Sequence, residues 1–167
     1  AARQAAMIET SGELLDGLAA ARGAEGTQLD TLLKAHLNAL AGLVDGAAAT
    51  AAAQPDAIRA RLQAMVSELI DADSRLSEER LAQEAALLAG KADVREEIDR
   101  LHVHIGATGD LLAEAVAVGR RLDFLCQELN REANTLCSKS ADVELTQIGL
   151  DMKATIEQFR EQVQNVE

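Results

Sequence analysis

Apolar residues recur along this chain at steps of three and four, the spacing of one face of an α-helix, and no β-sheet of consequence is expected. Ile8, Leu14, Leu15 and Leu18 mark a first helix over residues 5–21, which Gly23 and Gly26 are expected to interrupt or loosen. Leu29, Leu32, Leu33, His36, Leu37, Leu40, Leu43 and Val44 form the apolar stripe of a second helix over 27–53. The alanine run 47–53 leads into Gln54-Pro55-Asp56. Pro55 fits the first turn of a new helix, where its missing N–H costs little, and so predicts a boundary. Ile58, Leu62, Met65, Val66, Leu69 and Ile70 carry a third helix to about Asp71, with a break signalled over 72–77.

Ser77-Glu78-Glu79-Arg80 opens a further stretch through Leu81, Leu87 and Leu88 that ends near Gly90. Asp93-Val94-Arg95-Glu96 has the layout of a capping box, with Asp93 as the N-cap. It predicts a helix through Ile98, Leu101 and Ile105 that Gly106 and Gly109 bend or end before Leu111. The next helix, over 120–136, buries Leu122, Leu125, Cys126, Leu129 and Leu136. The last, over 142–166, carries Leu145, Ile148, Met152, Ile156, Phe159, Val163 and Val166, the pattern of an antiparallel or coiled-coil seam. The expectation is an all-α chain of elongated antiparallel helices forming a helical bundle, with a helical middle region over 1–75 and a second unit over 76–167.

Composition narrows what such a bundle can do. At 167 residues and 48% hydrophobic, the chain suffices for one domain or two small helical subdomains. It has no Trp or Tyr, and Phe124 and Phe159 are its only aromatics, so the usual base-stacking platform of nucleic-acid modules is lacking. The formal charge of −12 also argues against a freestanding nucleic-acid module. Positive charge would have to come from a further domain, neighbouring subunits or a divalent cation held by acidic groups. No apolar run is long enough for a membrane span, and no basic-then-apolar signal peptide is present. Cys126 and Cys137 lie on one predicted helix at a spacing of roughly 16 Å, too far for a bridge, which points to reduced thiols in a cytoplasm. The chain opens with Ala1-Ala2-Arg3, already in a helical pattern and without Met, the look of a fragment.

Three groupings can carry chemistry. Asp93, Glu97, Arg100 and His104 share one side of a helix by steps of four, three and four, and a carboxylate with an imidazole there can bind a divalent ion or relay a proton. Glu97 and His104 lie two turns apart, however, so a shared metal would need groups from another helix. The plain alternative is a capped helix with Glu96 or Glu97 paired to Arg100. Glu128 and Glu132 are neighbours one turn apart whose repulsion calls for a metal or for an arginine such as Arg131 or Arg121. Arg120, Arg121, Arg131 and Lys139 form the one cationic concentration; Arg120, Gln127, Arg131, Asn134 and Ser138 share a face that suits phosphates, ribose and base edges, or equally a subunit interface. No CxxC, HExxH, GxSxG or phosphate-cradling glycine loop is present.

From Arg80 to Glu167 the chain resembles the C-terminal region of the YicC (YloC) family of bacterial proteins, described as metal-dependent endoribonucleases. The likeness rests on Arg80-Leu81-Ala82-Gln83-Glu84, Lys91 to Glu97, Arg100-Leu101 with His104, Gly119 to Asp123, Gln127 to Thr135, Ser138-Lys139-Ser140 and the closing Ile156-Glu157-Gln158, Arg160-Glu161-Gln162 and Gln164-Asn165. Residues 1–75 resemble the family only in general character, and between His104 and Gly119 there is no basic residue, which implies a weaker or differently placed RNA surface. The resemblance implies RNA, single-stranded or structured, as substrate, and a role in RNA metabolism or the bacterial stress response. It also implies a cytoplasmic homo-oligomer, a hexamer being one form, with no DNA or membrane partner.

Cleaving RNA needs a base and an acid, or metal-activated attack on phosphorus. With three histidines in the chain, and His36 on an apolar stripe, a metal-assisted reaction is favoured. The candidate catalytic residues are Glu97, His104, Glu128 and Glu132, with Glu97, His104 and Glu128 as ligands of Mn2+ or Mg2+. Arg100, Arg120, Arg121, Gln127, Arg131, Asn134 and Lys139 are the candidate RNA contacts. The rival reading is a non-catalytic oligomerisation or adaptor module, which gains if the arginine face and the His104 neighbourhood prove buried in salt bridges, whereas the nuclease reading gains if both open on one cleft.

Overall fold

A computed structural model describes residues 2–72, 83, 86, 90, 93–114, 117–140 and 142–166, leaving aside the side chains of 52–63 and 65–72. Four helices with defined bounds lie among them: α1 (Ala2–Ala72), α2 (Arg95–Leu112), α3 (Gly119–Lys139) and α4 (Val143–Val163). No strand occurs among the described residues, so the chain is all-α. At 71 residues α1 is about 107 Å long, whereas α2, α3 and α4, of 18 to 21 residues, each span roughly 30 Å.

Several punctuation marks in the sequence fail to break helices. The expected boundaries at Gly23, Gly26 and Pro55 all lie inside α1. Glycine costs an exposed helix only about 1 kcal/mol relative to alanine, and the alanines around these sites offset it. Pro55 forgoes one backbone hydrogen bond but follows a run of the strongest helix former. Gly106 and Gly109 likewise continue α2 to Leu112 instead of ending it; Gly109 lies against Leu37 of α1, so packing fixes its backbone. The expected break over 72–77 and most of the predicted helix over 77–90 lie outside the described residues.

The start of α2 also departs from the capping-box expectation. Val94 occupies the N-cap position without a side-chain cap, and Asp93 accepts from Arg95 N at 3.0 Å while its carboxylate is forked by the Arg95 guanidinium at 2.5–3.2 Å. Those bonds hold the Asp93 carboxyl down at about 2. Glu96 turns instead to Arg100, one turn on. At α4 the cap is orthodox: the Asp142 side chain accepts from Leu145 N at 2.9 Å.

The bundle is antiparallel throughout. Asp45 and Leu37 of α1 meet His102 and Gly109 of α2, Glu97 of α2 meets Lys139 of α3, and Asp123 of α3 meets Arg160 of α4. Gly46 of α1 faces Ile148 of α4, which closes the ring of four. The core forms two layers. One gathers Leu40, Val44, Ala47, Ile98, Leu101, Leu129, Leu136, Leu145, Met152 and Ile156; the other gathers Leu33, Leu111, Val118, Leu122, Cys126, Phe159 and Val163. Burial pushes the Cys126 thiol up to about 12, so it is a small apolar filler.

Among the described side chains of α1, those of its middle contribute to this core. The predicted stripe Ile8, Leu14, Leu15 and Leu18 is exposed, Ile8 at 74%, because this part of α1 runs beyond the reach of the three shorter helices.

The α3–α4 contact is close at Gly149. A Cβ on Gly149 would fall on Cys137 Sγ and within 3.2 Å of Leu136 Cδ2, whereas one on Gly106 would meet nothing within 4 Å. Gly149→Ala is therefore expected to destabilise by about 1–3 kcal/mol through overpacking. Gly106→Ala should stabilise by roughly 0.5–1 kcal/mol. Urea unfolding of the two variants beside the parent checks both signs.

Candidate metal centre

The antiparallel run of α2 against α3 brings together groups far apart in sequence. His104 of α2 faces Glu128 and Glu132, which stand one turn apart on α3. One ligand atom from each of the three lies within 4.8 Å of the others. Glu132 is only 2% exposed, while His104 and Glu128 are half-buried. Two guanidinium groups flank the cluster: Arg100 Nη1 lies 3.6 Å and Arg131 Nε 3.7 Å from Glu132 Oε1, and Arg131 Nη1 lies 3.4 Å from Glu128 Oε2. Arg131 thus answers the repulsion between the two carboxylates, as expected from their spacing, whereas Arg121 is committed elsewhere.

The donor set fits a divalent cation. Two carboxylates and one imidazole from neighbouring helices converge, a set of ligand types that divalent cations accept. A mixed nitrogen and oxygen set suits Mn2+ better than Mg2+, which prefers oxygen alone.

Glu97 lies outside this group of three. It is 3% exposed, and its Oε1 accepts from Lys139 Nζ at 2.7 Å, while Lys139 also donates to the Asp93 carbonyl at 3.2 Å. Glu97 Oε2 is buried without a hydrogen-bond partner. Glu97 and Lys139 therefore form a largely buried bolt joining the first turn of α2 to the last turn of α3.

The remaining polar candidates lie along the outer face of α3. Arg120 is exposed and has no hydrogen bond or ion pair among the described residues. Arg121 makes two bonds to Glu114, at 2.5 and 3.0 Å. Gln127 donates to Asp123 at 2.8 Å and Asn134 to Asn130 at 2.6 Å. Asp123, held below the usual carboxylate range by Arg160 and Gln127, links this face to α4. Of the other histidines, His102 contacts Asp45 at 3.0 Å and the Ile98 carbonyl at 3.0 Å, and His36 is half-buried on α1. The arginine face is thus accessible yet mostly ion-paired, and the His104 cluster borders the same seam.

Breaking the bolt tests its role. Lys139→Ala leaves Glu97 buried without its cation, and the expected cost is about 2–3 kcal/mol at neutral pH, below the fully buried limit because Lys139 is partly exposed. In a Glu97→Gln background the same substitution should cost less than about 1 kcal/mol. Urea midpoints of the four proteins in this cycle give the coupling.

The family described as "Endoribonuclease YicC-like, C-terminal" matches residues 47–167. A protein of Haemophilus influenzae named "Probable endoribonuclease YicC" is 39% identical over 155 residues, covering 93% of this chain and 53% of that protein. Its namesake in Clostridioides difficile is 44% identical over 109 residues, covering 65% of this chain and 37% of that protein. The chain spans about half, or less, of the length of the curated relatives it matches. With its family match extending over most of its length, the chain belongs to the YicC-like endoribonuclease family, in the C-terminal region of that family.

Proposed function

We propose that this chain forms the catalytic part of a cytoplasmic, metal-dependent endoribonuclease in which His104, Glu128 and Glu132 hold Mn2+ or Mg2+ beside an RNA strand, single-stranded or structured. The observation that carries the reading is the convergence of these three ligands, from two helices, beside Arg100 and Arg131. The name borne by both relatives, "Probable endoribonuclease YicC", supports the substrate class.

When bound, the cation supplies Lewis-acid stabilisation of charge developing on a phosphodiester. The chain's own groups do the rest. Glu132 and Glu128 fix the site on α3, and His104 closes it from α2. Arg100 and Arg131 flank the same point and can orient the non-bridging oxygens of a phosphate, a task for which a planar fork of donors is suited. Arg120, Arg121, Gln127 and Asn134 extend that surface along α3, where guanidinium and amide groups contact phosphate and ribose. Glu97 and Lys139 act as positioning residues that hold the two helices in register.

The exposed apolar residues of α1, Met7, Ile8, Leu14, Leu15 and Leu18, support assembly into a homo-oligomer, since such a stripe is costly to leave in water. Shared RNA surfaces between subunits would also supply cationic groups to a chain of charge −12.

Cleavage of a labelled structured RNA by the protein carrying this chain, with Mn2+, with Mg2+ and with EDTA, tests the reading. Metal-dependent cleavage is expected, with His104→Ala and Glu132→Gln lowering it by at least about 10–100-fold and weakening Mn2+ binding in calorimetry to the same extent. Absence of cleavage with every metal would favour the adaptor reading. For assembly, Leu15→Glu combined with Leu18→Glu is expected to reduce the sedimentation mass to that of a smaller species while leaving helicity intact; an unchanged mass would remove α1 from the interface.

A further inference from the structure

The outer face of α3 carries one side chain that neither the fold nor the cluster employs. Phe124 is 58% exposed, whereas the chain's other aromatic, Phe159, is 3% exposed in the second core layer. Among the described residues Phe124 is the one large hydrophobic exposed on α3. Its surroundings are not those of an apolar patch. Arg120 and Arg121 lie one turn before it, Gln127 and the candidate ligand Glu128 one turn after, and Arg131 two turns after, all on the same side of the helix. Glu128 is thus about 6 Å further along the axis, the reach of one nucleotide from a metal-side phosphate.

We infer that Phe124 is a nucleobase platform: an unpaired base of the RNA stacks on the phenyl ring, with its flanking phosphates directed to Arg120 and Arg121 on one side and to the His104, Glu128 and Glu132 group on the other. The inference rests on the RNA reading above and adds to it a residue and a preference. A lone exposed aromatic on a helix side that also carries Arg120, Arg121, Gln127 and Arg131 matches a base with a charged backbone, whereas the core of a protein interface is depleted of charge. A base inside a duplex already stacks on both faces, so the platform selects nucleotides that are unpaired. Phe124 therefore acts as a specificity residue, presenting single-stranded positions to the cluster.

The chain contains no Trp or Tyr, so Phe124→Trp places a single indole at the point in question. The probe is a 12-nucleotide unstructured RNA, with its duplex form as comparison, in EDTA to prevent cleavage. The expected results are saturable quenching of the Phe124→Trp emission by the single strand and weak or no quenching by the duplex. Anisotropy of labelled single-stranded RNA should show binding weakened about 5- to 150-fold by Phe124→Ala and little changed by Phe124→Trp. The ring is exposed, and circular dichroism of each variant is expected to match the parent. If the parent binds the strand but the indole emission does not move and Phe124→Ala binds equally well, the platform is wrong while the RNA reading stands. If the parent binds RNA neither in EDTA nor, as a cleavage-resistant phosphorothioate strand, with Mn2+, the broader reading fails and takes the platform with it. Emission that follows protein concentration and ignores RNA would overturn the proposal by assigning Phe124 to a contact between subunits.

Discussion

The geometry of the seam depends on one largely buried ion pair. Glu97 cannot be left alone at 3% exposure, because desolvating a carboxylate costs several kcal/mol unless a cation and hydrogen bonds accompany it. Lys139 meets that need from the far end of α3 and ties in the Asp93 carbonyl as well. Once these two turns are pinned, the rest of the register follows from helical rise. Two turns along α2 from Glu97, about 10 Å, lies His104; the same distance back along α3 from Lys139 lies Glu132. A slip of one turn would separate them. In the proposed reading, the bolt is therefore a structural element whose consequence is chemical.

The other two helices make that seam rigid. Gly149 admits Cys137 and Leu136 to the backbone of α4, and Gly119, whose absent side chain would collide with the Val166 carbonyl, lets the end of the chain cover the start of α3. Arg160 reaches from α4 to Asp123, so the face of α3 beside the cluster is braced by charge as well as by packing. His102 ties the neighbouring face of α2 to Asp45 of α1. Side chains that must hold a geometry to fractions of an ångström are best carried on helices held from both sides.

Much of this was legible in the sequence, and the exceptions have physical causes. The buried faces of α3 and α4 follow the period of their apolar residues, because each helix packs along its length against the others. Single glycines and Pro55 misled as boundaries, since local propensity is a matter of about 1–3 kcal/mol that neighbouring alanines and tertiary contacts override. Asp93 read as a cap because its spacing to Glu96 is right, but Arg95 and Arg100 offered the two carboxylates charged partners closer at hand. His104, Glu128 and Glu132 were each identifiable as candidates, yet their convergence, without Glu97, depends on register between helices, which no pattern along a single helix encodes. The exposure of Phe124 is a fact of the same kind: period places it at the edge of a face, and only the packed bundle decides whether anything covers it.

Charge is the last element to reconcile, for in the proposed reading an acidic chain meets a polyanion. Nearly every cation of the seam is already engaged: Arg100 with Glu96 and Glu132, Arg131 with Glu128 and Glu132, Arg121 with Glu114, Lys139 with Glu97. Those at the cluster are engaged with the carboxylates that would ligate a metal. In the proposed reading, a divalent cation on Glu128 and Glu132 would satisfy the negative charge that now occupies Arg100 and Arg131, so that the same exchange both installs the metal and releases two guanidinium groups toward phosphate. Metal and RNA would then bind with positive coupling, without any movement of the helices, because each relieves a charge imbalance that the other creates. The local surface would change sign where the strand lies, while the overall charge of −12 would stay nearly unaltered. Net charge is therefore a poor guide to this seam, and the pairing of its individual groups is the better one.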